Sequence, residues 1–402
     1  MSKKVATLPT WFWPEGVPRA VGVPPLFLDE ALVGKWAEER PDQLAIIAPS
    51  EAFTYSILQS RITRSAGVIS KHLAADGERR LLIEVSSRTK ALLLLLSALK
   101  ARCVVHCSSS ADERSITRFN PEVLVTERLI RPGVGAAILV ADDVLHGSEG
   151  NGAAEGGEPR SPALALLTER HSFALHSHLG LLSGAIALTS FMEMPDGVRI
   201  LLSADPGSWW GFYSAISALY LGGSVVICEE DDGSAIAQTV RGHHVDAVFL
   251  TAEQAMNVTH RTARSERMIV RETCKWLLMS VDTPFPVKQR KALNNLMGRL
   301  APTVYGTAET GPIIASHPSW CVDESVGIPL TNAELRPVDP VSREPIEVPW
   351  ELLEYAAIDV KASHMMTGYD DPKETAERVR RRWFFTGRLA MMDGNGLYYL
   401  LP

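Results

Sequence analysis

Short apolar runs of strand length alternate with helical segments along most of this chain, and that order restricts its fold more than any other feature. In the first 145 residues, 26–40, 54–73 and 89–101 carry helical patterns, the second behind a threonine suited to an N-cap. Residues 44–47, 80–85, 103–107 and 123–126 read as strands. Strand, helix, strand in that order predicts parallel βαβ units and hence an α/β fold. The segment 89–101 is apolar on nearly every face, which predicts a helix buried on all sides.

A glycine- and glutamate-rich stretch, HGSEGNGAAEGGEPRSP at 146–162, interrupts the pattern and predicts a flexible surface loop. The alternation then resumes, with strands at 163–167, 198–202, 224–228, 247–250 and 276–280 and helices at 172–189 and 209–221. Towards the end, shorter strands and turns such as NAELRPVD and GLYYLL predict a small β-rich, barrel-like subdomain. The expected division is a first α/β subdomain over 1–145, the loop over 146–162, a second α/β subdomain over 163–325 and the β-rich one over 326–402. At 402 residues the chain exceeds what one core ordinarily serves, which agrees with several packed subdomains. No repeat at a solenoid period is present.

A formal net charge of −7 leaves no basic excess to neutralise phosphates, so a nucleic-acid partner is not expected. The N-terminal MSKKVATLPTWFWPEG lacks the apolar core of a secretory signal. The most apolar run, 91–99, is far short of the roughly 20 residues that span a bilayer, so no membrane association is expected. The five cysteines form no CxxC pair, and Cys103 and Cys107 have no matching second pair for zinc. Free, packed thiols in a reducing cytoplasm are expected, with no bound metal.

Three clusters carry candidate chemistry. Trp209, Trp210, Phe212 and Tyr213 open a helix in WWGFY, and suit either a flat slot for an aryl group or the core. HSFALHSH supplies His171, His176 and His178, of which His171 and His178 would share a helical face. An imidazole has the right pKa for a general base, although packed histidines are common. Arg378, Arg380, Arg381 and Arg382 form a basic run that suits an acidic partner, the phosphates of a cofactor, or a solvated helix end.

Six segments, in the right order over nearly the whole chain, resemble the adenylate-forming (AMP-binding) superfamily of acyl- and aryl-CoA ligases. They are WAEERPDQLAIIAPSEAFTYSILQSR at 36–61, WWGFYSAISALYLGG at 209–223, YGTAETGP at 305–312, SVGIPL at 325–330, MTGYDDPKET at 366–375 and WFFTGRLAMMDGNGLYY at 383–399. The resemblance implies the N-terminal domain of the adenylate-forming fold: two βαβ-type subdomains and a β-barrel. It implies an acyl pocket lined by the aromatic cluster, by Ser280 and Val281, and by Tyr305, Gly306 and Thr307, whose amides would stabilise an oxyanion. Glu309 stands at the family's glutamate, with either a functional role or a structural one.

The departures from the family pattern fall on ATP handling. The glycine- and hydroxyl-rich phosphate loop is absent: ALALLT runs directly into ERHSFALHSHLG, and 163–173 contain no glycine. Ala308 stands where the family has a threonine, and Arg388 stands where it has the aspartate that holds the ribose hydroxyls. Arginine only donates hydrogen bonds. The chain ends at Pro402, where the family's lid domain with its catalytic lysine would begin, so that lid is expected to be absent. Neither ATP nor magnesium is expected, and no tightly bound cofactor.

The implied activity is ATP-independent acyl transfer. A benzoate- or anthranilate-like group would pass from coenzyme A to the phosphopantetheine thiol of an acyl carrier protein, in secondary metabolism. His176 and His178 would serve as bases, and the arginine run would dock the carrier or coenzyme A. A route through Cys103 or Cys107 is weakly supported. The other expectation is a non-catalytic relative that binds an acyl thioester or scaffolds a partner.

Overall fold

The computed structural model describes residues 13–74, 77–127, 135–147, 156–282, 284, 286–298, 300–319, 322, 324–346 and 353–402. Of the glycine-rich stretch expected to be a loop, 148–155 lie outside the described residues.

Among the described residues the strands form three sheets. The seven-stranded sheet runs, in spatial order, Gly368–Tyr369, Phe173–Ser177, Pro162–Leu167, Val104–Ser108, Arg80–Glu84, Val123–Thr126 and Ala137–Val140. The nine-stranded sheet is mostly parallel, with Thr303–Thr307, Trp276–Val281, Ala247–Leu250, Arg199–Leu202, Ser224–Ile227 and Leu44–Ile47 side by side. The parallel strands are near-continuous apolar runs because helices cover both of their faces. The third sheet has five strands and is antiparallel, built on Ala333–Val338, Leu353–Ala362 and Trp383–Met392. The fold is therefore mixed α/β with a smaller β-rich subdomain, as the alternation and the resemblance predict.

Local chemistry explains where the helices begin. Thr54, Ser87 and Ser208 each accept a backbone N–H from the first turn of Tyr55–Ser70, Arg88–Lys100 and Trp209–Tyr220. Arg88–Lys100 is buried from Ala91 through Leu99, the outcome its apolar faces predict. His178–Phe191 and Trp209–Tyr220 pack together, the first against the seven-stranded sheet and the second against the nine-stranded one. Almost all of His178–Phe191 is buried.

Two features differ from the sequence reading. The helix expected over 172–189 starts later, because Phe173–Ser177 is a strand paired antiparallel with Pro162–Leu167. Ser177 then caps the helix. His171 sits before that strand with a left-handed φ of 59°, so His171 and His178 share no helical face. Sheet membership also does not follow the division at 145 and 163. Ile46 and Ile47 pair with Val225 and Val226, while 162–177 join the strands of the first 145 residues. Periodicity identifies a strand but not its partner.

Among the described residues no helix is long and apolar enough to cross a membrane. Cys103, Cys107 and Cys228 are free thiols, and all three are buried, as is Cys274.

Candidate functional site

A cavity of about 460 Å³ opens where several loops of the three sheets converge. The turn after Pro162–Leu167 contributes Glu169 and Arg170, and the first residue of Trp209–Tyr220 contributes Trp209. Asp282 follows Trp276–Val281, and Tyr305 to Glu309 form the opposite wall. The five-stranded sheet closes the cavity with Phe384, Thr386, Gly387, Arg388 and Leu389, beside Arg378 at the end of the helix Pro372–Arg378.

The turn at 168–172 is closed and committed to itself. Thr168 N donates to Ser172 O at 2.9 Å, and His171 N donates to Thr168 O at 3.0 Å. Arg170 N and Ser172 N both donate to Thr168 Oγ1, at 3.3 and 3.2 Å. Phe173 N donates to Asp370 Oδ1 at 3.0 Å, and Ser172 Oγ to Glu374 Oε2 at 2.6 Å. Arg118 fastens the same two carboxylates, with Nε and Nη2 on Asp370 at 2.7 and 3.0 Å. A phosphate cradle needs free amides pointing outward. The amides of Thr168, Arg170, His171, Ser172 and Phe173 are all used internally.

The wall at 305–311 is equally fixed. Thr307 N donates to Thr310 Oγ1 at 3.0 Å and Glu309 N to Thr307 Oγ1 at 3.2 Å, so these amides are not available to an oxyanion. Only glycine fits at 306, where a Cβ would lie 2.3 Å from Gly311 O and 3.0 Å from the Trp209 ring. Glu309 Oε1 accepts the Tyr369 hydroxyl at 3.1 Å. Burial, with the nearby Glu309 charge, holds the Tyr369 phenol well above its usual pKa. Tyr305 is fully buried and pushed up to about 12 by desolvation, with the Arg388 charge acting the other way.

Of the aromatic cluster, only Trp209 reaches the cavity. Trp210 is core: its indole N–H donates to Leu250 O at 3.0 Å and its ring stacks on Phe249 at 5.0 Å. Phe212 and Tyr213 are wholly buried, and Tyr213 presses against Gly184 and Gly311, where a Cβ would lie within 2.4 and 2.8 Å of its ring or hydroxyl. The aromatic slot expected from WWGFY is thus filled by its own side chains. Val281 is buried, and neither it nor Ser280 lines the cavity, whereas Asp282 does.

The two candidate bases lie elsewhere. His176 is fully buried in Phe173–Ser177, with Nε2 on Ala308 O at 2.6 Å. Since a carbonyl only accepts, that nitrogen carries the proton. His178 Nδ1 accepts Leu28 N–H at 3.4 Å, and Phe27 packs edge-on to its ring at 5.2 Å. Neither borders the cavity, and burial lowers the pKa of both, that of His178 to about 4. Cys103 and Cys107 are buried and their thiols pushed up by desolvation, so no thiolate forms there.

The arginine run divides. Arg378 turns into the cavity at 7% exposure, while Arg380, Arg381 and Arg382 are exposed. Arg381 and Arg382 adopt left-handed φ of 50° and 68° in the turn joining Val379–Arg380 to Trp383–Met392. Glu169, Arg170 and Tyr369 received no role from the sequence. The first two follow a strand end that carried no motif, and Tyr369 lay inside a matched segment without a chemistry of its own. Among the described residues no group of His, Cys, Asp or Glu is placed to hold a metal ion.

His178 and His364 make a pH dependence testable. Burial lowers both from 6.5 to about 4. A depressed histidine pKa means that folding favours the neutral ring. That stabilisation is complete above about 6.5 and is lost as pH falls towards 4. The melting temperature should drop across that window, and His364→Gln should flatten part of the drop. An unchanged slope in the variant would refute the assignment.

The AMP-binding enzyme family model matches residues 174–370. A long-chain-fatty-acid–CoA ligase of Bacillus subtilis is 27% identical over 125 residues, 30% of this chain. That match spans 22% of the relative's length, well under two thirds. ATP-bound MatB from Rhodopseudomonas palustris superposes with a TM-score of 0.83 at 20% identity, over 94% of this chain and 78% of that one. Unliganded O-succinylbenzoate coenzyme A synthetase from Bacillus subtilis gives 0.82 at 16% identity, over 94% and 79%. At these identities the likeness of the structures concerns the fold.

Proposed function

We infer the function from the premise that this chain belongs to the adenylate-forming superfamily: it is an ATP-independent acyltransferase that receives an already activated acyl thioester. The observation that carries this reading is the closed turn at 168–172. The amides of Thr168, Arg170, His171 and Ser172 are spent within it and that of Phe173 on Asp370, and Glu169 faces the cavity beside it. These amides offer the phosphates of ATP no cradle, and Arg388 cannot accept ribose hydroxyls. ATP and magnesium therefore take no part in the proposed transfer.

The donor is an aryl-coenzyme A and the acceptor is the phosphopantetheine thiol of an acyl carrier protein. The thiol gives its proton to the Glu309 carboxylate, and its sulfur attacks the thioester carbonyl carbon. The bond to the coenzyme A sulfur breaks, and the departing thiolate takes the proton back. One thioester replaces another, so the exchange is near thermoneutral and needs no nucleotide. Trp209 supplies an apolar wall, and His176 acts only by fixing the Ala308 carbonyl next to Glu309. Exposed Arg380, Arg381 and Arg382 offer an acidic carrier a basic face.

A second reading, a non-catalytic protein that binds an acyl thioester or scaffolds a partner, is favoured by one observation. Trp210, Phe212 and Tyr213 occupy the space where an aryl slot was expected. Benzoyl-coenzyme A, holo carrier protein and this protein, incubated without ATP and followed by intact mass, separate the two. Acylated carrier well above the protein-free control supports transfer. Binding of benzoyl-coenzyme A by calorimetry with no acylated carrier supports the second reading.

A further inference from the structure

Among the described residues some partly buried arginines find acidic partners: Arg118 grips Asp370 and Glu374, and Arg336 pairs with Asp359 at 2.7 Å. Arg378 does not. It is 7% exposed, its Nη2 donates to Thr386 O at 3.0 Å, and it contacts the Tyr369 hydroxyl. Its Nε is buried without a partner. The rings of Phe384 and Phe385 lie 5.5 and 5.6 Å from its guanidinium. Among the described residues Glu309 makes no ion pair with it; its charge acts on Arg378 from a distance, and its Oε1 accepts the Tyr369 hydroxyl.

A guanidinium cannot shed its proton to escape burial. A buried charge without a direct counterion costs several kcal/mol by the usual order of magnitude. Here desolvation and then the Arg170 charge act against the protonated form, and Tyr369 and Glu309 offset them only in part. Arg170 and Arg388 border the same cavity, so three guanidiniums converge on it. Glu169, Asp282 and Glu309 border it too, and the Tyr369 hydroxyl already holds Glu309.

We propose that Arg378 is the anion receptor of this cavity and, together with Arg170, binds a phosphate group of a phosphate-bearing ligand, the coenzyme A portion of the donor. The assignment of that ligand rests on the transfer reading above. A phosphate carries up to two negative charges and several acceptor oxygens, enough to engage two guanidiniums at once. A carboxylate carries one charge. Trp209 and Leu389 give the rest of the ligand an apolar surface.

The test is calorimetry on the whole protein with coenzyme A, pantetheine, inorganic pyrophosphate and succinate as probes. Coenzyme A should bind at least tenfold more tightly than pantetheine, and pyrophosphate should displace it. Arg378→Met should weaken coenzyme A tenfold or more and leave pantetheine unchanged. Arg170→Gln, at an exposed position that does not threaten folding, should weaken coenzyme A several-fold. Equal affinity for pantetheine and coenzyme A, no loss in either variant, or displacement by succinate as effective as by pyrophosphate would each overturn the proposal. Binding is read without turnover. Phosphate-dependent binding with no acyl transfer removes the transferase and keeps this site, and transfer without phosphate preference does the reverse.

Discussion

Trp210→Ala should lower the free energy of unfolding by about 3–5 kcal/mol, the range for deleting a buried large aromatic. The indole stacks on Phe249 at an interplanar angle of 23°, and its N–H satisfies the Leu250 carbonyl. Truncation removes the packing and also strands a buried acceptor. Binding of benzoyl-coenzyme A by the folded fraction should not change, because Trp210 does not line the cavity. Trp209→Ala should behave in the opposite way, with weakened binding and a smaller loss of stability. Urea unfolding followed by circular dichroism checks the first variant and calorimetry the second. A stable Trp210→Ala protein with altered acyl preference would return Trp210 to the acyl pocket.

That contrast shows what residue types disclose and what they leave open. WWGFY announces a buried helix start, and Ser208 caps it. It does not say which aromatic faces a cavity, since neighbouring residues on a helix point about 100° apart and both faces here are buried. The parallel strands were legible because burial on two faces demands apolar runs. Phe173–Ser177 was not, because its pairing with Pro162–Leu167 is a tertiary choice that overrides local pattern. The arginines at 378–382 look like one basic cluster. The helix ends at Arg378 and a tight turn follows at Arg381 and Arg382, so the chain sends the first inward and the others to solvent. The expectation of no phosphate loop rested on the absence of glycine at 163–173. That the amides in its place would be consumed by Thr168 and Asp370 required coordinates.

The largest functional effect concerns activation. Each preorganised donor at a developing charge is worth about 2.7–4 kcal/mol, or roughly 10²–10³ in rate. The turn at 168–172 withholds several donors at once, and Arg388 at the cavity wall offers no acceptor. Adenylation should therefore fall below detection rather than merely slow down. Pyrophosphate exchange into Mg·ATP, with benzoate or anthranilate as the acid, measures that step alone. The expected result is no incorporation above the protein-free control at millimolar ATP. Acid-dependent exchange that saturates with ATP would contradict it.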